Sequence, residues 1–75
     1  MTSYGVILFH TTSSAMRAEK LLLKDGCHIK LIPTPRELSS DCGIAVRFDW
    51  GEQERVKSVL YAAGVQIDTI HQMQL

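Results

Sequence analysis

Seventy-five residues allow one domain, and a chain of this size buries only about 60% of its unfolded surface, so its core has to be economical. A composition of 45% hydrophobic and 21% charged residues excludes an intrinsically disordered chain. Eight Lys+Arg balance eight Asp+Glu, which leaves no basic surplus for nucleic acid or an anionic membrane surface. No apolar run approaches the roughly 18 residues of a spanning helix, and Met1 to Tyr4 lack a basic leader region. The expectation is a soluble cytoplasmic protein. Two cysteines do not make a disulfide scaffold.

In chain order, Val6-Ile7-Leu8-Phe9 is apolar throughout, as an interior strand is. Thr11, Thr12, Ser13 and Ser14 can cap a helix that carries Ala15, Ala18, Leu21 and Leu22 on one face and stops at Gly26. His28-Ile29-Lys30-Leu31 alternates polar with apolar, the pattern of an edge strand. The next connection takes about ten residues where a hairpin needs two to five. Within it, Thr34, Pro35 and Glu37 read as a capping box with proline at the first helical position, predicting one short helical turn. Cys42 then emerges at the start of a third strand, Ile44-Ala45-Val46. A second helix is expected to begin near Asp49, with Glu52 completing a capping box. It carries Val56, Val59, Leu60 and Ala63 and ends at Gly64. Val65-Gln66-Ile67-Asp68 reads as a closing edge strand, with a fraying tail from Gln72 to Leu75.

Self-similarity at an offset of 38 residues relates Gly5-Val6-Ile7-Leu8 to Gly43-Ile44-Ala45-Val46, Gly26 to Gly64, Ile29 to Ile67 and Ile32 to Ile70. Each half is thus a strand, a helix and a strand. The order predicts an α+β, ferredoxin-like βαββαβ domain over residues 1–75, its antiparallel sheet ordered 4-1-3-2 with two helices on one face.

In such a sheet the end of the first strand, the start of the first helix, the end of the second strand and the start of the third share one rim. Cys42 should therefore lie near His10, near the amides of Thr11, Thr12, Ser13 and Ser14, and near Pro33 and Arg36. The positive helix end and Arg36 would favour a thiolate there, with Asp41 opposing them. Cys42 then reads as an accessible, reactive thiol, in competition with the ordinary reading of a free cysteine as a small buried hydrophobe. Cys27, at the far end of the second strand, reads as structural. About 16 Å of strand separates it from Cys42, too far for a disulfide. His10, His71, Met73 and Cys42 show no zinc spacing, and Cys27 and His28 point to opposite faces of a strand, so no metal site is expected. Phe9 and Phe48 are too few for an RNA-stacking sheet. Trp50, at the turn into the second helix, is placed either to cover a loop or to meet a partner.

The run Leu31-Ile32-Pro33-Thr34-Pro35-Arg36-Glu37-Leu38-Ser39-Ser40-Asp41-Cys42-Gly43-Ile44-Ala45 resembles the signature of the small bacterial Se/S carrier protein-like family. The front half, with a hydroxyl near Thr11 and then Ala15 and Glu19, is similar too. The resemblance implies a Cys-Gly unit that carries sulfur or selenium as a persulfide or perselenide, from a donor enzyme such as a cysteine desulfurase to an acceptor protein. By position that role falls on Cys42, with Pro33, Pro35, Arg36 and Gly43 shaping its pocket. Such a carrier is not an enzyme in its own right and needs no cofactor. The alternative is a non-catalytic module that holds a small anion or partner peptide on the same rim. A homo-oligomer through the open sheet face is a third reading, and a ferredoxin-like fold does not choose among them.

Overall fold

The computed structural model describes residues 3–38 and 42–74. The elements are β1 (Ser3–Leu8), α1 (Thr12–Lys24), β2 (Ile29–Pro33), β3 (Ile44–Asp49), a 3-10 turn (Trp50–Glu52), α2 (Gln53–Ala62) and β4 (Thr69–Gln74). The strands form one antiparallel four-stranded sheet in the order β2-β3-β1-β4, which counted from the β4 edge is 4-1-3-2. Two helices and this sheet make an α+β fold.

Strand alternation sorts the side chains into two clusters. Ile7, Val46 and Phe48 pack with Ala15, Ala18 and Leu22 of α1 and Val56 and Leu60 of α2. Val6, Leu8 and Ala45 form the second cluster, on the opposite face, flanked by Tyr4, Ile32, Leu38 and Met73. On that outer face the Arg47 guanidinium lies 3.9 Å above the Tyr4 ring, a cation–π contact. Trp50 stacks on Phe48 at 5.9 Å and joins the edge of the first cluster. Its ring therefore covers the core.

The two helices end in the same way. Gly26 and Gly64 have φ of +83° and +72°. After α1, the Cys27 N–H donates to the Leu22 carbonyl and the Gly26 N–H to that of Leu23. After α2, Val65 donates to Leu60 and Gly64 to Tyr61. Both are Schellman ends, and the residue after each glycine is turned into the core: Cys27 and Val65 are buried. The 38-residue offset holds for these ends. It fails in the strands, because Ile7 faces the helices whereas Ala45, 38 positions on, faces the other way.

Several boundaries differ from the sequence reading. The closing strand is not Val65–Asp68 but Thr69–Gln74, and Gln72 to Gln74 are paired with β1 rather than frayed. The reason is the chain path: Val65 is spent closing α2, and pairing starts once the Asp68 N–H reaches the Leu8 carbonyl at 2.8 Å. Asp49 precedes the 3-10 turn without a side-chain cap, so the expected box with Glu52 does not form; Glu52 is drawn to His28 instead. The single turn expected after Pro35 does form, closed by the Leu38 N–H on the Pro35 carbonyl. Ser39, Ser40 and Asp41 of that connection, and Leu75 of the tail, lie outside the described residues.

Gly5 is required by packing. A Cβ there would stand 2.2 Å from the Phe48 ring, which lies across it from β3. Phe48 is fully buried in the main core, so the ring has nowhere to go. Gly5→Ala is expected to destabilise the fold by about 1–3 kcal/mol, the usual cost of overpacking. Gly43→Ala, where a Cβ meets nothing within 4 Å among the described residues, should leave the urea midpoint unchanged.

Candidate functional site

The site is built where β3 begins. Ile44, Val46 and Phe48 face the helices, so by alternation residue 42 faces them as well. Cys42 accordingly joins the main core and is 3% exposed. Its sulfur lies 3.7 Å from the Thr12 hydroxyl, on the first residue of α1. The sequence reading thus places the thiol at the correct helix end but is corrected on its exposure. Alternation turns the side chain inward, beneath Thr12.

The backbone around the thiol is pinned from β2. The Thr34 hydroxyl donates to the Cys42 carbonyl at 2.8 Å, and the Thr34 N–H donates to the Gly43 carbonyl at 3.0 Å. Together they extend the β2–β3 ladder one step beyond the Pro33–Ile44 pair. The hydroxyl proton of Thr34 is thus given to the cysteine peptide. Thr-Pro directly after a strand was the available signal, because proline gives up its own N–H and leaves the threonine hydroxyl and amide to make the last ladder contacts.

Thr11 is the N-cap of α1, its hydroxyl accepting from the Ser14 N–H at 3.1 Å. This leaves the amides of Thr12 and Ser13 without intrahelical partners, as at any helix start, and they give this end its partial positive charge. Thr12, Ser13 and Gly43 are exposed around the buried sulfur. Pro33 closes β2 opposite Ile44, and Pro35 is half-buried in the turn that follows. Arg36 is exposed and makes no ion pair among the described residues. His10 lines an open groove of about 720 Å³ with Lys57, Tyr61, Asp68 and Thr69.

No disulfide joins Cys27 and Cys42. Cys27 lies just beyond the end of α1 and Cys42 beside its start, so the helix of 13 residues, about 20 Å long, stands between them. Burial pushes the Cys27 thiol above its ordinary pKa, with the Arg55 cation opposing and Glu52 and Asp25 reinforcing the rise.

At the other end of the sheet, ligating atoms of His28, Asp49 and Glu52 lie within 4.8 Å of one another. The sequence pairs His28 only with its neighbour Cys27 as a candidate chelate, which does not point to this group. Its members stand 21 and 3 positions apart, and only the β2–β3 pairing brings them together.

These placements predict a contrast in alkylation. Native Cys27 and Cys42 should react slowly with iodoacetamide at neutral pH, and Thr12→Gly should speed Cys42 alone, by at least about tenfold. The raised Cys27 pKa also sets a sign: the folded state holds the thiol proton more tightly than the unfolded one. Its contribution to stability is complete below the unfolded thiol value of about 8.5 and is lost as pH rises through the folded value. Thermal unfolding measured from neutral to alkaline pH should show a smaller loss in Cys27→Ala than in the parent.

Among the described residues no helix is long and apolar enough to cross a membrane. The family model described as "Putative Se/S carrier protein-like" matches residues 4–72. An uncharacterized protein of the archaeon Methanocaldococcus jannaschii is 36% identical over 56 residues, which are 75% of this chain. The matched stretch is 28% of that relative's length. No solved structure matches. With the match running from Tyr4 to Gln72, across every strand and both helices, the chain belongs to the Se/S carrier protein-like family.

Proposed function

We propose that this protein, with the ferredoxin-like arrangement its strand order fits, carries a sulfane sulfur or selenium atom on Cys42. What supports the reading is one juxtaposition: the sulfur sits beside the Thr12 hydroxyl at the N-terminal end of α1, in a chain of the Se/S carrier-like family. The Cys42 thiolate would attack the outer sulfur of a donor persulfide. The donor's S–S bond breaks, the donor leaves as its thiolate, and Cys42 becomes the persulfide. An acceptor nucleophile then takes that outer sulfur and returns Cys42 to the thiolate, so sulfur is passed on with no external oxidant or reductant. The anionic forms are favoured by the helix end and by the donor hydroxyl of Thr12. A cysteine desulfurase is the kind of donor this chemistry needs, and the acceptor is a second protein.

Gly43 adds a separate argument. It is exposed, has no positive φ, and a Cβ there would touch nothing among the described residues. Packing among the described residues therefore gives no reason for glycine beside the cysteine, whereas a partner's reactive sulfur approaching the backbone does. Transfer requires the sulfur to come out from beneath Thr12, a local rearrangement at an exposed helix start rather than in the deep core.

The burial of Cys42 favours a second reading, in which the thiol is only part of the wall beneath a rim that holds a small anion or a partner peptide. Incubation with a cysteine desulfurase and cysteine, followed by mass spectrometry, separates the two. The carrier reading expects one added sulfur on Cys42, none on Cys42→Ser, and loading slowed at least about tenfold in Gly43→Ala with stability unchanged. Absence of added sulfur, or equal loading of Cys27, would refute the carrier and leave the binding module.

A further inference from the structure

We propose that His28, Asp49 and Glu52 form a binding site for a divalent first-row transition cation. Six residues of β3 separate this end of the sheet from Cys42, about 20 Å of strand, so the site is independent of the sulfur chemistry.

The fold assembles the three side chains in two steps. The β2–β3 register pairs Ile29 with Phe48, and one step further it sets His28 opposite Asp49. The chain then enters the 3-10 turn Trp50–Glu52, whose three-residue repeat returns Glu52 to the side of Asp49. Glu52 is held in place from outside its own turn. Its Oε1 accepts the His28 backbone N–H at 2.9 Å, which leaves Oε2 3.4 Å from the His28 ring Nδ1. That separation is already the edge of a tetrahedron around an ion bound at about 2.1 Å. Asp49 makes no capping hydrogen bond to the turn it precedes, and it completes a set of donor atoms lying within 4.8 Å of one another. His28 and Asp49 are exposed and Glu52 is half-buried, so the two exposed side chains can turn toward the fixed Glu52 carboxylate.

The donor chemistry selects the ion. One imidazole nitrogen and two carboxylate oxygens suit manganese, iron, cobalt, nickel or zinc in the divalent state, and lack the thiolates that select copper(I). Two carboxylates match the charge of a dication. The neighbouring cation Arg55 is already engaged, bonding the Asp25 carboxylate at 2.8 Å and the Asp25 carbonyl. Three protein ligands leave further coordination positions for water or an exogenous anion.

Trp50, the only tryptophan, sits between Asp49 and Glu52 and reports on the site. Titration of the full chain with Ni²⁺ should quench Trp50 fluorescence saturably, with one ion per chain. His28→Gln and Glu52→Gln should each raise the midpoint at least about tenfold, the scale seen when a metal site loses a ligand or its support. His28 is exposed and Glu52 half-buried, and circular dichroism verifies that the variants are folded. His71→Gln and Cys42→Ser should leave the midpoint where it is. Quenching that never saturates, or a midpoint that His28→Gln and Glu52→Gln do not move, would overturn the site.

Discussion

The register between β2 and β3 is the constraint on which both ends of this molecule depend. Five pairs run from Ile29 opposite Phe48 to Pro33 opposite Ile44. Continued past Pro33, the ladder makes Thr34 hold the peptide groups of Cys42 and Gly43. Continued past Ile29, it sets His28 opposite Asp49. A slip of one residue would turn Ile44, Val46 and Phe48 away from the helices and every alternate side chain with them. The same slip would turn Cys42 from the start of α1 to the outer face.

Burial of Cys42 follows from that alternation, and it changes what a thiol at this place can do. A sulfur sealed beneath Thr12 is protected from adventitious oxidation and alkylation, since reactivity requires access as well as ionisation. The elements around it have little freedom. Phe48 is locked over Gly5, β1 is flanked on both sides, and the Arg17 side chain ties α1 to the Ala63 carbonyl at the end of α2. The exposed residues at the rim, Thr12, Ser13 and Gly43, are the part that can yield without disturbing the core.

Much of the fold was legible because it is written in local chemistry. The hydroxyl cluster at Thr11 gives the N-cap, the glycines at 26 and 64 give the two Schellman ends, and the apolar runs give the interior strands β1 and β3. Legibility failed where a side chain has two local options and a distant partner decides. Glu52 is spaced for a capping box with Asp49 but bonds His28, and Thr34, spaced to cap a turn, gives its hydroxyl proton to the distant Cys42 carbonyl. Val65 to Asp68 alternate like a strand, yet Val65 is consumed in closing α2 and the pairing moves on to Thr69. His10, beyond the last paired residue of β1, lines the groove along β4.

By itself the sequence determined the α+β class, the two helix ends and the placing of Cys42 beside the first helix, since each rests on residues close together in the chain or on a simple strand order. Only the tertiary structure decided that the Cys42 sulfur is covered, that Thr34 positions it, and that His28 meets Asp49 and Glu52. Those outcomes depend on which face a strand presents and which residue stands across from it. That is a property of pairing between segments, and no single segment carries it.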